Sequence, residues 1–173
     1  KNIFFIGRLV EDKDPIFFVR QLLKIREKFD LKINIVGKGY LSEKIKEYEK
    51  SYPKIIKFYG HVKNPFDRFK DTIDLFCVTS RYDGTPNVLG EAMSLGIPCL
   101  APKKVGLSEF MLNNSQFGYL YDPEKKLNFT KKVIQIEKEY SLAKKKAKKG
   151  FYSMKRFNKK NTLKKLKDAI YAI

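Results

Sequence analysis

Six short apolar runs punctuate this chain, at 3–6, 32–36, 55–59, 74–79, 97–101 and 118–121, and amphipathic stretches separate them. Most of the runs are nearly continuous in apolar residues, as strands are when both of their faces are covered. Between the first two, Phe18, Leu22, Ile25 and Phe29 recur at helical spacing, and Leu41, Ile45 and Tyr48 do the same after the second. This predicts helices over 15–29 and 41–50. Shorter helices are predicted over 65–71, with Asn64 as N-cap and Pro65 in the first turn, over 86–95 and over 107–113. The 86–95 helix stops at Gly96, with Pro98 just beyond. Residues 124–173 read as helical. Alternation of this kind predicts an α/β fold: a Rossmann-like, doubly wound, mostly parallel sheet of about six strands with helices on both faces and a helical C-terminal tail.

No internal repeat or linker divides the 173 residues, so a single domain over 1–173 is expected. The chain starts at Lys1 and enters a core strand at once, which suggests a piece of a longer protein. No run of about 18 apolar residues is present. The two cysteines, Cys77 and Cys99, fall inside predicted central strands and read as buried thiols of a reducing compartment. With one histidine, His61, and no Cys/His cluster, no metal site and no cofactor are expected. The net charge of +18 is carried mostly by lysine, densest from Lys125 to Lys167. It admits nucleic acid, an anionic membrane surface or an acidic small molecule as partner, or simply a solvated surface. There is no zinc-finger pattern and no RNA-binding aromatic signature, so nucleic acid is not expected.

Ligands of open α/β sheets bind beyond the carboxyl ends of the strands. That rule selects the loops Gly7–Lys13, Gly37–Tyr40, Gly60–Asn64, Ser80–Pro86 and Ala101–Glu109. In the first, Gly7 permits a tight turn, and Arg8 and Lys13 are two cations suited to a diphosphate, or else to ion pairs with Glu11 and Asp12. Gly37-Lys38-Gly39 is a turn, or a place where backbone comes close to a ligand. In Ser80–Gly96 a strand, a polar turn and a helix follow one another. Thr85 suits an N-cap and Pro86 the first helical position, which would leave the N–H groups of Asn87, Val88 and Leu89 to attract an anion. Glu91 lies about 7.5 Å further along the helix axis. It and Asp83, in the turn with Gly84, are placed to accept hydroxyl hydrogen bonds on either side of that anion. The plainer reading makes Asp83 a turn residue and Glu91 a surface charge.

The stretches FIGRLVEDKD, INIVGKGYLSEKI, IKFYGHVKNPF and DLFCVTSRYDGTPNVLGEAMSLGIPCLA, followed by the helical tail, carry a family likeness in their order and spacing. The chain resembles the C-terminal, nucleotide-binding domain of family 4 glycosyltransferases, which have the two-domain GT-B fold. The resemblance implies a hexosyltransferase acting with retention, which passes a sugar from a nucleoside-diphosphate sugar, UDP by family frequency, to a glycan or lipid-linked acceptor. The family's Glu-x7-Glu motif falls on Asp83 and Glu91, implying donor sugar at the first and nucleotide ribose at the second. Its diphosphate-holding pair falls on Arg8 and Lys13, and its base-reading loop on Gly60, His61, Val62 and Lys63. Asp83, Arg8 and Lys13 are thus the implied catalytic residues.

The chain departs from the family pattern at Asp83, where Glu is usual, and at Thr85, where an aromatic is common. It also has Val105-Gly106 in place of a double glycine. The alternative function is a non-catalytic nucleotide-sugar-binding module of a degenerate transferase. Acceptor binding would fall to an N-terminal domain of the same protein, so these residues alone are expected to bind donor without turnover. Because many family members act on lipid-linked acceptors, Lys144–Lys149 and Lys155–Lys167 suggest a cytoplasmic protein, peripheral on an anionic membrane face.

Overall fold

The computed structural model describes residues 1–125 and 127–155. Six strands form one sheet: β1 (Asn2–Ile6), β2 (Lys32–Val36), β3 (Ile56–Phe58), β4 (Leu75–Cys77), β5 (Cys99–Pro102) and β6 (Tyr119–Tyr121). Their order is β3-β2-β1-β4-β5-β6 and every neighbouring pair is parallel. β1 pairs with β2 on one side, Ile3 opposite Ile33, and with β4 on the other, Ile3 opposite Leu75. The chain therefore winds outward in both directions from β1, and a crevice opens at the carboxyl ends of β1 and β4.

Side chains alternate across this sheet with the period of two that a strand imposes. Ile3, Phe5, Leu75, Cys77, Leu100, Tyr119 and Tyr121 enter one core; Phe4, Ile6, Phe76, Val78, Cys99, Ala101 and Leu120 enter the other. The first core is covered by α1 (Pro15–Leu23), α2 (Ser42–Ser51), α6 (Asn128–Lys138) and the start of α7 (Tyr140–Met154). The second is covered by α3 (Pro65–Phe69) and α4 (Asn87–Ser94), with α5 (Ser108–Met111) beside it. Cys77 and Cys99 thus lie in different cores, both free and buried.

α4 buries Leu89, Ala92 and Met93 at helical spacing, which leaves Glu91 on the exposed side. Its end is a Schellman turn: Ile97 N–H donates to Ala92 O (3.1 Å) and Gly96 N–H to Met93 O (3.0 Å), with Gly96 at φ +70°. α7 lies across α4. A β-carbon on Gly150 would come within 3.2 Å of Phe117 O, so the small residue lets α7 pass close to the segment before β6, with the Met93 side chain of α4 also beside it.

Three local expectations change. The 15–29 helix ends at Leu23, because Ile25 and Lys28 N–H groups bond three residues back, to Leu22 and Ile25, and tighten the chain into turns. Ile25 is still buried, so its periodicity marked the core without marking the helix. The helical tail breaks at Glu139 into α6 and α7, and the Lys155–Lys167 segment falls almost wholly outside the described residues. Asn64 occupies the N-cap position of α3 in the left-handed region (φ 51°) but makes no side-chain cap; its carbonyl accepts from Asp67 N–H at 3.1 Å.

Candidate functional site

The loops after β1, β2 and β3 are sewn together through their backbones. Gly7 N–H donates to Val36 O (3.0 Å), Gly37 N–H to Gly60 O (2.8 Å) and Leu9 N–H to Lys38 O (2.9 Å). Gly37 has φ +150°, and a β-carbon there would overlap the Gly7 carbonyl; one on Gly39 would overlap the Leu9 carbonyl. Both glycines of Gly37-Lys38-Gly39 are therefore required by the approach of one loop to another.

The loop after β1 is joined in turn to the one after β4. Residues Glu11–Lys13 make a 3-10 turn ending at Asp14. Asp14 caps α1, its Oδ1 accepting from Phe17 N–H at 3.0 Å, while its Oδ2 accepts from Arg81 Nε at 2.6 Å. Thr79 Oγ1 donates to the Lys13 and Asp14 carbonyls (2.9 and 3.1 Å), and Arg81 N–H to Asp12 O (2.8 Å). The hydrogen bond from Arg81 to Asp14, and the carboxylate's charge, raise the guanidinium's pKa above its ordinary value. Lys13 Nζ forms an ion pair with Asp83 Oδ2, and Ser80 Oγ lies 3.4 Å from the same oxygen. Lys13 thus pairs with neither Glu11 nor Asp12, and Arg8 is exposed with no ion pair among the described residues.

The start of α4 differs from the expectation. Pro86 is the N-cap and Asn87 the first helical residue, with no side-chain cap from Thr85. Asn87 N–H donates to Thr85 O and Leu89 N–H to Pro86 O, each at 2.8 Å. Two of the three amides expected to face an anion are therefore engaged by the turn itself, and only Val88 N–H lacks an acceptor among the described residues. The Leu89 side chain is wholly in the core.

Two cavities meet at Arg8. One, of about 320 Å³, is lined by Gly7, Arg8, Gly37, His61, Val62, Val88 and Glu91, with Ile6, Val36, Lys38 and Pro65. The other, of about 530 Å³, is lined by Arg8, Lys13, Asp83 and Gly84, with Arg81, Tyr82, Lys104, Val105 and Gly106. The fold thus brings together ten of the expected site residues. Lys63, Thr85, Pro86, Asn87 and Leu89 line neither cavity.

Sequence reasoning did not single out Asp14, Thr79, Arg81 or Lys104. Asp14-Pro15 has the form of an N-cap followed by proline at N1, so Asp14 carried a readable signal; Arg81 and Thr79 carried none. Gly106 (φ 53°) presses on the Asp83–Gly84 turn, where a β-carbon would overlap the Gly84 carbonyl.

The profile of the family described as glycosyl transferases group 1 matches residues 1–139. The chain belongs to this family. One relative of this glycosyl transferase domain is an uncharacterized glycosyltransferase of Methanocaldococcus jannaschii, 33% identical over 99 residues, which are 56% of this chain and 24% of that protein. Another is the Campylobacter jejuni GalNAc-alpha-(1->4)-GalNAc-alpha-(1->3)-diNAcBac-PP-undecaprenol alpha-1,4-N-acetyl-D-galactosaminyltransferase, 23% identical over 133 residues, 76% of this chain and 37% of that one. The chain therefore spans well under half the length of either. Among solved structures, Anabaena HepE in complex with UDP superposes with a TM-score of 0.84 at 17% identity, over 99% of this chain and 49% of that one. The architecture is that of a GT-B-type glycosyltransferase domain.

Proposed function

We propose that this domain is the donor-binding half of a retaining hexosyltransferase that uses a nucleoside-diphosphate sugar, with UDP as the nucleotide. The observation that carries the reading is the place of Arg8 between two cavities, one holding Glu91, His61 and Val62 and the other Lys13 and Asp83. A nucleoside-diphosphate sugar has the same layout: a nucleoside, two phosphates and a sugar in line. In this reading the nucleoside occupies the smaller cavity, with its ribose hydroxyls on Glu91 and its base along His61–Val62. The sugar lies in the larger cavity near Asp83. HepE, whose structure was solved with UDP, shares the fold, which supports the choice of nucleotide.

The reaction breaks the bond between the anomeric carbon and the phosphate oxygen, so negative charge grows on the departing diphosphate. Arg8 stands where that charge would develop, Lys13 is within reach of it, and the Val88 amide and the α4 dipole add to them. Cations brought to the departing diphosphate stabilise the transition state more than the ground state, because the leaving oxygen gains charge only as the bond breaks. In this proposal Asp83 orients the sugar, the acceptor arrives from a further domain of the same protein, and no metal is needed.

The test is binding and turnover in the full-length protein. Arg8→Ala should weaken UDP binding about tenfold or more, the weight of one charge-assisted hydrogen bond. Glu91→Gln should weaken UDP binding and lower transferase activity. Unchanged UDP affinity in the first and full activity in the second would end the reading. The engagement of Asp83 by Lys13 also fits a domain that binds nucleotide sugar without transferring it. Binding of UDP-sugar with no turnover, restored by Asp83→Glu, would favour that reading.

A further inference from the structure

We propose that Lys13 and Asp83 form a latch that the donor's diphosphate releases, so that sugar recognition by Asp83 follows phosphate binding by Lys13. The proposal rests on the donor-site reading above and adds an order of events to it.

In the structure the two groups assigned to different parts of the donor hold each other. Their side chains are only 21% and 11% exposed, so the pair is poorly screened by water. While it stands, Asp83 has one oxygen on an ammonium, and Lys13 has its charge on a carboxylate. A neutral sugar arriving alone meets a carboxylate already engaged.

The anchoring on either side confines the change to the ammonium. The Lys13 backbone is fixed at both ends: its N–H donates to Val10 O (3.1 Å) and its carbonyl accepts from Thr79 Oγ1 (2.9 Å). Only the four-carbon stem is left to swing, and lysine carries its charge on a flexible stem suited to that. Asp83 keeps the Ser80 hydroxyl, 3.4 Å from Oδ2, as a positioning partner once the ammonium leaves. Ser80 is itself buried.

Electrostatics sets the direction. Arg8, exposed and with no ion pair among the described residues, is placed to seize the diphosphate first. A diphosphate then offers Lys13 at least two negative charges where Asp83 offers one, and the interaction scales with that product. The ammonium moves to phosphate, and the vacated Asp83 oxygen becomes an acceptor for a sugar hydroxyl. Sugar attached to a diphosphate thereby opens its own subsite, whereas free sugar does not.

The experiment is a structure of the full-length protein with UDP, with GDP and ADP tried alongside, and binding measurements on Asp83→Asn. The latch predicts Lys13 Nζ on a phosphate oxygen and away from Asp83 in the complex. It also predicts that Asp83→Asn, which removes the competitor without changing shape, raises UDP affinity about fivefold, the weight of one partly buried ion pair. In the same variant, UDP-hexose loses its advantage over UDP. A complex in which UDP sits on Arg8 while Lys13 stays on Asp83 overturns the latch and leaves the donor reading standing. So does an unchanged UDP affinity in Asp83→Asn. If none of the nucleoside diphosphates binds, the donor reading fails and the latch falls with it.

Discussion

Gly37 and Gly7 meet backbone to backbone at the carboxyl ends of β2 and β1, so close that a β-carbon on Gly37 would overlap the Gly7 carbonyl. The contact continues through hydrogen bonds from Gly7 to Val36, from Gly37 to Gly60 and from Leu9 to Lys38. Gly37→Ala must therefore force the two loops apart and also hold alanine at a φ suited to glycine. The expected loss is about 2–4 kcal/mol of stability, the range for backbone strain added to lost packing. Urea denaturation would show it as a lower midpoint with little change in slope. A variant as stable as the parent would mean that the loops can separate freely.

Asp14 joins two tasks in one carboxylate, capping α1 through Phe17 N–H and pairing with Arg81. Asp14→Ala removes both and should cost about 1–2 kcal/mol, since loss of an N-cap alone accounts for about 1. Asp14→Asn keeps a cap acceptor and loses the charge pair. It should fall between the parent and the alanine variant, because Arg81 is well exposed and a pair of that kind contributes up to about 1 kcal/mol. Equal losses in the two variants would assign the whole effect to the charge pair.

The strands and the loops that line the candidate site were legible for a physical reason. Runs such as Ile3–Ile6 and Leu75–Thr79 are apolar on both faces, and a sheet covered on both sides is the arrangement that buries them. Once the sheet is parallel, topology alone brings Arg8, Gly37, His61, Asp83 and Gly106 to one edge. What stayed hidden depends on contacts across long stretches of sequence. The Lys13–Asp83 pair spans 70 residues, and each partner reads equally well as a ligand for substrate. The Thr79 bonds to the Lys13 and Asp14 carbonyls span 66 and 65 residues. Spacing rules do not reach that far. α4 starts one residue later than Thr85-Pro86 suggests, because that pair matches a helix start locally while the turn uses the amides of Asn87 and Leu89 internally.

The cysteines give a prediction free of any functional assumption. Burial raises the thiol pKa of both Cys77 and Cys99 above the ordinary range, and each is at most 1% exposed. A raised pKa keeps the thiol protonated as the pH climbs, and the thiolate is the reactive species. Iodoacetamide at pH 8 should therefore label neither residue in the folded protein and both after denaturation. Because the two lie in different cores, mild oxidant should form no disulfide between them in the native state. Rapid labelling of either under native conditions would show local opening of the sheet.

The lysines of α7 divide into two groups with different jobs. Lys146 turns inward: its ammonium donates to Ser115 O at 2.8 Å and lies 4.2 Å from the centre of the Tyr119 ring, and partial burial lowers its pKa from the usual lysine value. Lys144, Lys145, Lys148 and Lys149 are exposed, and their spacing stacks them in pairs one turn apart. If the charge of this helix serves an anionic membrane face, only that second group can serve it. Each lysine near such a surface contributes about 1 kcal/mol. In that case, reversing all four to glutamate should weaken co-sedimentation with vesicles containing phosphatidylserine and leave the melting temperature nearly unchanged. Lys146→Ala should do the opposite, lowering the melting temperature with little effect on vesicle binding. Co-sedimentation that is indifferent to phosphatidylserine content would assign the exposed lysines to solvation alone.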